Sequence, residues 1–273
     1  MKNIKKIALL ILTLSFALIA LTACGGGTAK DEKTIKVAAS PAPHAEILGQ
    51  VKDALEKDGW TLEVVEFEDY VQPNEAVVNG ECDANYFQHQ PYLDQYNSKN
   101  GTDLVNAGAI HYEPLGVYKG QKEAFDKLSN GDKIGVPNDV TNEARALQLL
   151  QANGVIKLKD GVGLEATKVD IVENPKNIDI VELEAATIPS SLPDLALAVI
   201  NGNYAIGGGL NADQAIAFES GDSEAAQTYA NIIACAKGNE NNEKTQALLK
   251  ALKSDNVKKF IDKKYGGAVK TIF

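Results

Sequence analysis

Short β-forming runs alternate with amphipathic helical runs from residue 34 almost to the C-terminus. This alternation constrains the fold more than any other feature of the chain. Thr34–Ala39 is a compact strand-like run broken by Ser40-Pro41-Ala42-Pro43, and Pro43–Lys57 then places Ile47, Leu48, Val51, Ala54 and Leu55 at helical spacing. Gly59 ends that helix, and Thr61–Phe67 alternates as a second strand. A helix over Pro73–Asn79, a strand over Cys82–Phe87, a helix over Pro91–Lys99 and a strand over Leu104–Tyr112, running on towards Gly116–Tyr118, continue the pattern. A second set follows. It has a helix over Gln121–Leu128, a strand over Lys133–Val136, a helix over Thr141–Asn153, short strands over Val169–Val172 and Ile178–Leu183, and a strand over Leu197–Ile200. Asn211–Ala217 reads as a helix, Ala230–Ala236 as a buried strand, and Glu243–Lys253 and Val257–Lys264 as closing helices. Strands alternating with helices predict an α/β fold with a mostly parallel sheet.

Two such sets in one chain predict two lobes. The crossings between them fall near His111–Tyr118 and Ala230–Ala236. Lobe 1 is then discontinuous, residues 34–114 and 231–273, and lobe 2 is residues 115–230. Two crossing strands make a hinge, and the cleft beside a hinge is a natural ligand site.

Residues 1–23 stand outside this pattern. Lys2, Lys5 and Lys6 precede the apolar run Ile7–Ala20, which is shorter than the ~20 residues that span a bilayer. Leu21-Thr22-Ala23-Cys24 has the form of a bacterial lipobox, in which the leader is cut before the cysteine and the new terminus is acylated. Residues 1–23 are therefore expected to be a signal peptide, Cys24 the lipidated residue, and residues 24–33 a flexible tether. The expected location is the extracytoplasmic face of a cell membrane, at the cell surface or in a periplasm. Charge limits the partners further. There are 27 Lys+Arg against 37 Asp+Glu, a net charge of −10, and losing the leader lysines makes the remainder more acidic. Nucleic acid is excluded as a partner, because phosphate binding needs clustered cations. Cys82 and Cys235 either pair in an oxidising compartment or stay as small buried residues; their apolar strand patterns favour buried, free thiols.

Within the second set, Lys133–Leu150 (KIGVPNDVTNEARALQLL) carries Arg145, the only arginine among those 27 cations. A guanidinium offers a planar fork of donors that grips a carboxylate with two bonds, which lysine cannot do. Arg145 falls in the first turns of a helix after a strand and a turn, where open α/β sheets collect ligands. A surface or interdomain salt bridge is an equally open reading on spacing alone. In the first set, Asn85–Tyr92 (NYFQHQPY) is the densest aromatic and polar cluster of a chain that is only 6% aromatic. It follows a strand and reads as an aromatic wall for an apolar or thioether side chain, sulfur–ring contacts contributing ~0.3–1.5 kcal/mol each. The plainer reading makes Tyr86 and Phe87 core and the others surface. Strand alternation turns Tyr86 and Phe87 to opposite faces, so at most one lines such a wall. Tyr70, in Glu66–Asn74, lies at a similar edge.

Other chemistries find less support. His44, His89 and His111 make up a possible transition-metal set, but none has the tight spacing of a metal motif. There is no Gly-x-Ser-x-Gly elbow, and Ser190-Ser191 has no base nearby. Gly207-Gly208-Gly209 lacks the lysine and the strand–helix frame of a phosphate loop. Neither an enzyme nor a cofactor is expected.

Several segments together resemble one family, the NlpA lipoproteins, which are substrate-binding components of methionine-type ABC importers. The matching pieces are Asp83–Leu93 (DANYFQHQPYL), Val136–Leu147 (VPNDVTNEARAL), Leu158–Thr167 (LKDGVGLEAT), Asp170–Ala185, Leu195–Ala205 (LALAVINGNYA), Tyr229–Asn239 (YANIIACAKGN) and Gly266–Lys270. The resemblance implies a two-lobed fold like type II periplasmic-binding proteins, with an amino acid in the cleft. It implies Arg145 on the ligand carboxylate and Asn201 and Asn231 on its amino and carboxylate groups. Tyr70, Phe87, His89 and Tyr92 would enclose the thioether, with Asn142 a further candidate. The implied partners are L-methionine or a close analogue, an ABC permease with its ATPase, and the membrane through the lipid anchor; the protein itself is expected to be a monomer. D-methionine, a methionine-containing dipeptide and, from a different class, a transition metal are the alternative ligands. One departure stands in Ala186–Asp194 (ATIPSSLPD), where relatives often carry a basic residue in place of Ser190.

Overall fold

The computed structural model describes residues 32–219 and 227–273; the leader, Cys24 and most of the tether lie outside them. Two mixed sheets carry the apolar cores. The first has the order β13-β4-β12-β3-β1-β2, with β1 Thr34–Ala39, β2 Thr61–Glu66, β3 Ala84–His89, β4 Val105–Tyr112, β12 Ala230–Cys235 and β13 Lys270–Thr271. Every residue of β3 and of β12 is buried. On one face Ile35, Val37, Tyr86 and Ile233 pack with Ile47, Leu48, Leu248, Leu252 and Ile261 of the helices; on the other, Ala38 and Ile232 pack with Val77, Leu93 and Tyr96. A sheet covered on both faces explains why these strands read as apolar runs.

The second sheet runs β11-β5-β10-β6-β9, with β5 Gly116–Lys119, β6 Lys133–Pro137, β9 Asp179–Leu183, β10 Leu197–Ile200 and β11 Ala215–Phe218, while β7 Lys157–Leu158 and β8 Ile171–Glu173 pair only with each other. The helix Val140–Ala152 buries Ala144, Leu147 and Leu150 against Ile134, Val136 and Val199. Ile188, Leu192 and Ala205 cover Ala198 and Ile200 on the other face. The chain leaves the first sheet at Tyr112 and joins the second at Gly116; it leaves the second at Phe218 and rejoins the first at Ala230.

Three local expectations are corrected. The sheets are mixed, not mostly parallel: β12 lies antiparallel to both β3 and β4, and β5 antiparallel to β10. Gln121–Leu128 is not a helix but has one turn at Phe125–Lys127. The Gln121 and Lys122 amides instead bond the carbonyls of Leu195 and Ala196, which holds the segment along the neighbouring chain. Asn211–Ala217 holds one turn, Ala212–Gln214, and then becomes β11, because β5 offers it an open edge. Cys82 and Cys235 are both buried and free. Among the described residues no helix is long and apolar enough to cross a membrane.

Candidate ligand-binding site

β12 organises the site. Its register sets Asn231 opposite His89 of β3 on one side and His111 of β4 on the other. From this rung the chain assembles one cavity. Tyr70, Phe87, His89, Tyr92, Asn142, Arg145, Asn201 and Asn231 all line it, together with Gln88, Glu113, Gly202 and Asn203. Ser190 lies outside this lining; it is exposed and bonds the Thr187 carbonyl.

One side of the cavity is aromatic. The Tyr70 ring centroid lies 5.8 Å from that of Phe87 and 5.7 Å from that of Tyr92, while Phe87 and Tyr92 are 5.9 Å apart and nearly edge-to-face. Such offsets suit ring quadrupoles. Tyr92 Oη donates to the Tyr70 carbonyl at 3.0 Å, and Tyr70 Oη donates to Asn203 Oδ1 at 2.6 Å, so the wall is tied across to the helix Gly202–Gly207. Tyr86 faces the other way and is fully buried in the core, as strand alternation requires.

The other side is polar. His89 Nδ1 accepts from the Tyr92 amide and caps the helix Gln90–Asn100, which leaves Nε2–H to donate to Asn142 Oδ1 at 3.2 Å. Burial, then the neighbouring Arg145, pushes His89 down to about 3, so the ring is neutral. Asn142 Oδ1 also accepts from Asn201 Nδ2 at 2.9 Å, and Asn142 Nδ2 donates to Asp139 at 3.0 Å. Its amide is fully engaged in aligning His89 and Asn201. Asn201 Oδ1, by contrast, is buried with no hydrogen-bond partner among the described residues. A buried acceptor left in that state costs about 1–3 kcal/mol unless something donates to it.

Arg145 lines the cavity and makes a buried salt bridge, one of the two readings that its sequence position left open. Nε donates to both carboxylate oxygens of Glu219, at 2.8 and 2.9 Å, and Nη2 donates to the Glu113 carbonyl at 2.8 Å. The guanidinium carbon sits 4.4 Å from the Tyr229 ring centroid. Burial disfavours both charges, but each outweighs it for the other: Arg145 is held above its ordinary pKa and Glu219 below its own. These bonds use Nε and Nη2, and the Nη1 edge takes part in none of them.

The three histidines do not form a set. His44 and His111 lie together, ring centroids 5.0 Å apart, whereas His89 serves Asn142. Glu113 Oε1 is 2.6 Å from His111 Nε2 and 3.5 Å from His44 Nε2. The shorter contact is a hydrogen bond; two atoms ligating one zinc at ~2.0–2.1 Å with tetrahedral geometry stand more than ~3 Å apart. Glu113, Gly202, Asn203, Glu219 and Tyr229 were not singled out by sequence reasoning. The available signal was position: Glu113 is the lone acid in the crossing His111–Tyr118, and Tyr229 immediately precedes β12.

The sequence pattern of the NlpA lipoprotein family matches residues 35–273. The chain belongs to this family. Two relatives of this NlpA protein are the D-methionine-binding lipoprotein MetQ of Salmonella typhimurium and the methionine-binding lipoprotein MetQ of Bacillus subtilis. The first is 45% identical over 257 residues, 92% of this chain and 93% of the relative. The second is 42% identical over 275 residues, 97% of this chain and 98% of the relative. Among solved structures, a lipoprotein from Ruminococcus gnavus is 60% identical with a TM-score of 0.87, over 88% of this chain and 100% of that one. A nutrient binding protein from Burkholderia cenocepacia, solved bound to methionine, is 45% identical with a TM-score of 0.83, over 88% and 100%. The fold of this NlpA protein is thus α/β with two sheet-containing lobes, of the type II periplasmic-binding kind.

Proposed function

We propose that this protein is an extracytoplasmic, lipid-anchored binding protein that captures methionine between its lobes and delivers it to an ABC importer. The observation that carries the reading is the two-ended cavity. One end holds Arg145 and the unpartnered Asn201 Oδ1; the other is formed by the Tyr70, Phe87 and Tyr92 rings. A zwitterion leaving water needs a partner for its carboxylate and acceptors for its ammonium. The Nη1 edge of Arg145 takes the carboxylate, Asn201 and Asn231 take the amino and carboxylate groups, and the rings with His89 enclose the thioether. Relatives named for methionine, and one solved with it, support the ligand.

In this reading lobe 1 comprises residues 34–114 and 231–273, lobe 2 comprises residues 115–230, and the two crossings act as the hinge. Cys24 carries the lipid. The protein works by binding, not by catalysis, and its partner is a permease with its ATPase. Isothermal titration of the mature protein, unfolded and refolded to strip bound ligand, tests the assignment with L-methionine, D-methionine and a methionine dipeptide. Heat and thermal stabilisation with at least one of them are expected. Silence with all three alongside a response to another amino acid would sink the ligand assignment.

A further inference from the structure

The cavity wall contains one acid that the ion pair leaves unmatched. Glu113 is 5% exposed, yet Arg145 gives its charge to Glu219 and reaches Glu113 only at the main-chain carbonyl. The groups on the Glu113 carboxyl itself are neutral. From β4 comes His111 Nε2, 2.6 Å from Oε1; from the turn Pro41–Ala45 comes His44 Nε2, 3.5 Å from the same oxygen. From the helix Gly202–Gly207 comes the backbone N–H of Asn203. Gly202 packs so closely that a Cβ there would stand 2.7 Å from Oε2. Burial pushes His44 down to about 4 and His111 to about 3, so neither imidazole supplies a charge. Farther out stand the phenols of Tyr70, Tyr86 and Tyr265, whose pKa values burial raises, and the Arg145–Glu219 pair. A buried carboxylate with no cation of its own is costly to ionise.

The surrounding hydrogen bonds accommodate two proton arrangements with the same heavy-atom positions. In one, the Tyr86 hydroxyl donates to His111 Nδ1 and His111 Nε2–H donates to an ionised Glu113. In the other, Glu113 carries the proton and donates to His111 Nε2, while Nδ1–H donates to the Tyr86 oxygen. His44 stays the same in both, its Nε2–H on Asn231 Oδ1 at 2.9 Å.

We propose that Glu113 holds a proton in the ligand-free cavity and releases it when an α-ammonium group enters, so that amino-acid capture is coupled to loss of one proton. This rests on the amino-acid reading above. One proton leaves Glu113 and His111 for solvent, the imidazole proton that remains ends on Nε2 with the Tyr86 hydroxyl donating to Nδ1, and the carboxylate left behind faces the ligand's –NH3+, which is the missing cation. Asn201 Oδ1 is the second acceptor for the same group. The sign follows from linkage. Burial raises the free-state pKa of Glu113 and the ammonium lowers it in the complex. Affinity therefore rises with pH, by up to about tenfold per unit, between the two values, and is flat above them. A site that discharges a proton also discriminates: an N-acylated methionine brings no cation and binds weakly.

The test is calorimetry of the refolded mature protein with L-methionine at pH 5.5, 6.5 and 7.5, in buffer pairs of different ionisation enthalpy. The slope of observed heat against buffer enthalpy counts protons. Release of a fraction of a proton up to one, largest on the acid side, is expected, with no slope in Glu113→Gln. Wild-type binding whose heat is independent of buffer at all three pH values overturns the coupling and leaves the amino-acid reading intact. A slope that persists in Glu113→Gln also overturns it. No binding of methionine at all overturns both. The wild-type buffer series decides the matter even where the variant does not fold.

Discussion

Replacing Arg145 by methionine separates its ion pair with Glu219 from the carboxylate-binding role proposed for it. Arg145 is 4% exposed and the Glu219 side chain 13% exposed, and Arg145 donates three of the bonds that Glu219 accepts. Removing one partner of such a buried pair leaves the other charged and unpaired, at about 3–5 kcal/mol of stability. Urea unfolding should show this as a lower midpoint at unchanged slope. Binding should fall for a different reason. Loss of a charge-assisted bond to the ligand carboxylate, at about 1.5–3 kcal/mol, weakens methionine about 10- to 150-fold. The double variant Arg145→Met, Glu219→Gln tells the losses apart. Gln keeps an acceptor for Tyr112 Oη and the Leu115 amide, which Glu219 also serves, but removes the orphaned charge. Stability should recover by at least half, while affinity stays low. A double variant that binds methionine like the wild type would refute the argument, reducing Arg145 to a strut for the crossing segment.

Phe87→Ala should destabilise the protein by about 3–5 kcal/mol and weaken methionine by up to about tenfold, the worth of one sulfur–ring contact; unchanged affinity by titration would put the thioether elsewhere. Gly202→Ala should cut affinity with the circular dichroism spectrum intact, because the new Cβ meets Glu113 Oε2 at 2.7 Å and must push it aside. Burial, and then the adjacent Glu182 carboxylate, pushes Glu143 up to about 7. The folded state thus binds more protons than an unfolded chain with a pKa of about 4.3, and stability contributed at acid pH is lost as pH rises to about 7. Glu143→Gln should therefore raise the melting temperature relative to wild type more at pH 8 than at pH 4.5. Equal shifts at both would place the carboxyl in solvent.

The unequal visibility of these residues in the sequence has a physical cause. Arg145 stood out because it is the only arginine beside many lysines, and a guanidinium does what an ammonium cannot. The aromatic run Asn85–Tyr92 stood out against a composition poor in rings, and alternation along a strand was enough to part Tyr86 from Phe87, though only the folded chain shows that Tyr86 goes to the core and Phe87 to the cavity. The lengths of the buried strands were legible for the same reason: sheets covered on both faces leave long apolar runs. Segments whose conformation depends on a distant edge were not. Ala215–Phe218 becomes a strand only because β5 is open beside it, and no local pattern records that. Glu113 and Glu219 were hidden by abundance. In a chain with 37 acids, most of them solvated, one more carboxylate carries no contrast, whether it is exposed or sealed beside two neutral imidazoles. What distinguishes Glu113 is a buried carboxyl held by neutral groups while the neighbouring Arg145 pairs with Glu219, a property of three segments meeting: β4, the turn after β1, and the helix that starts at Gly202. A functional charge of this kind is defined by what surrounds it, and it becomes visible only when the chain is folded.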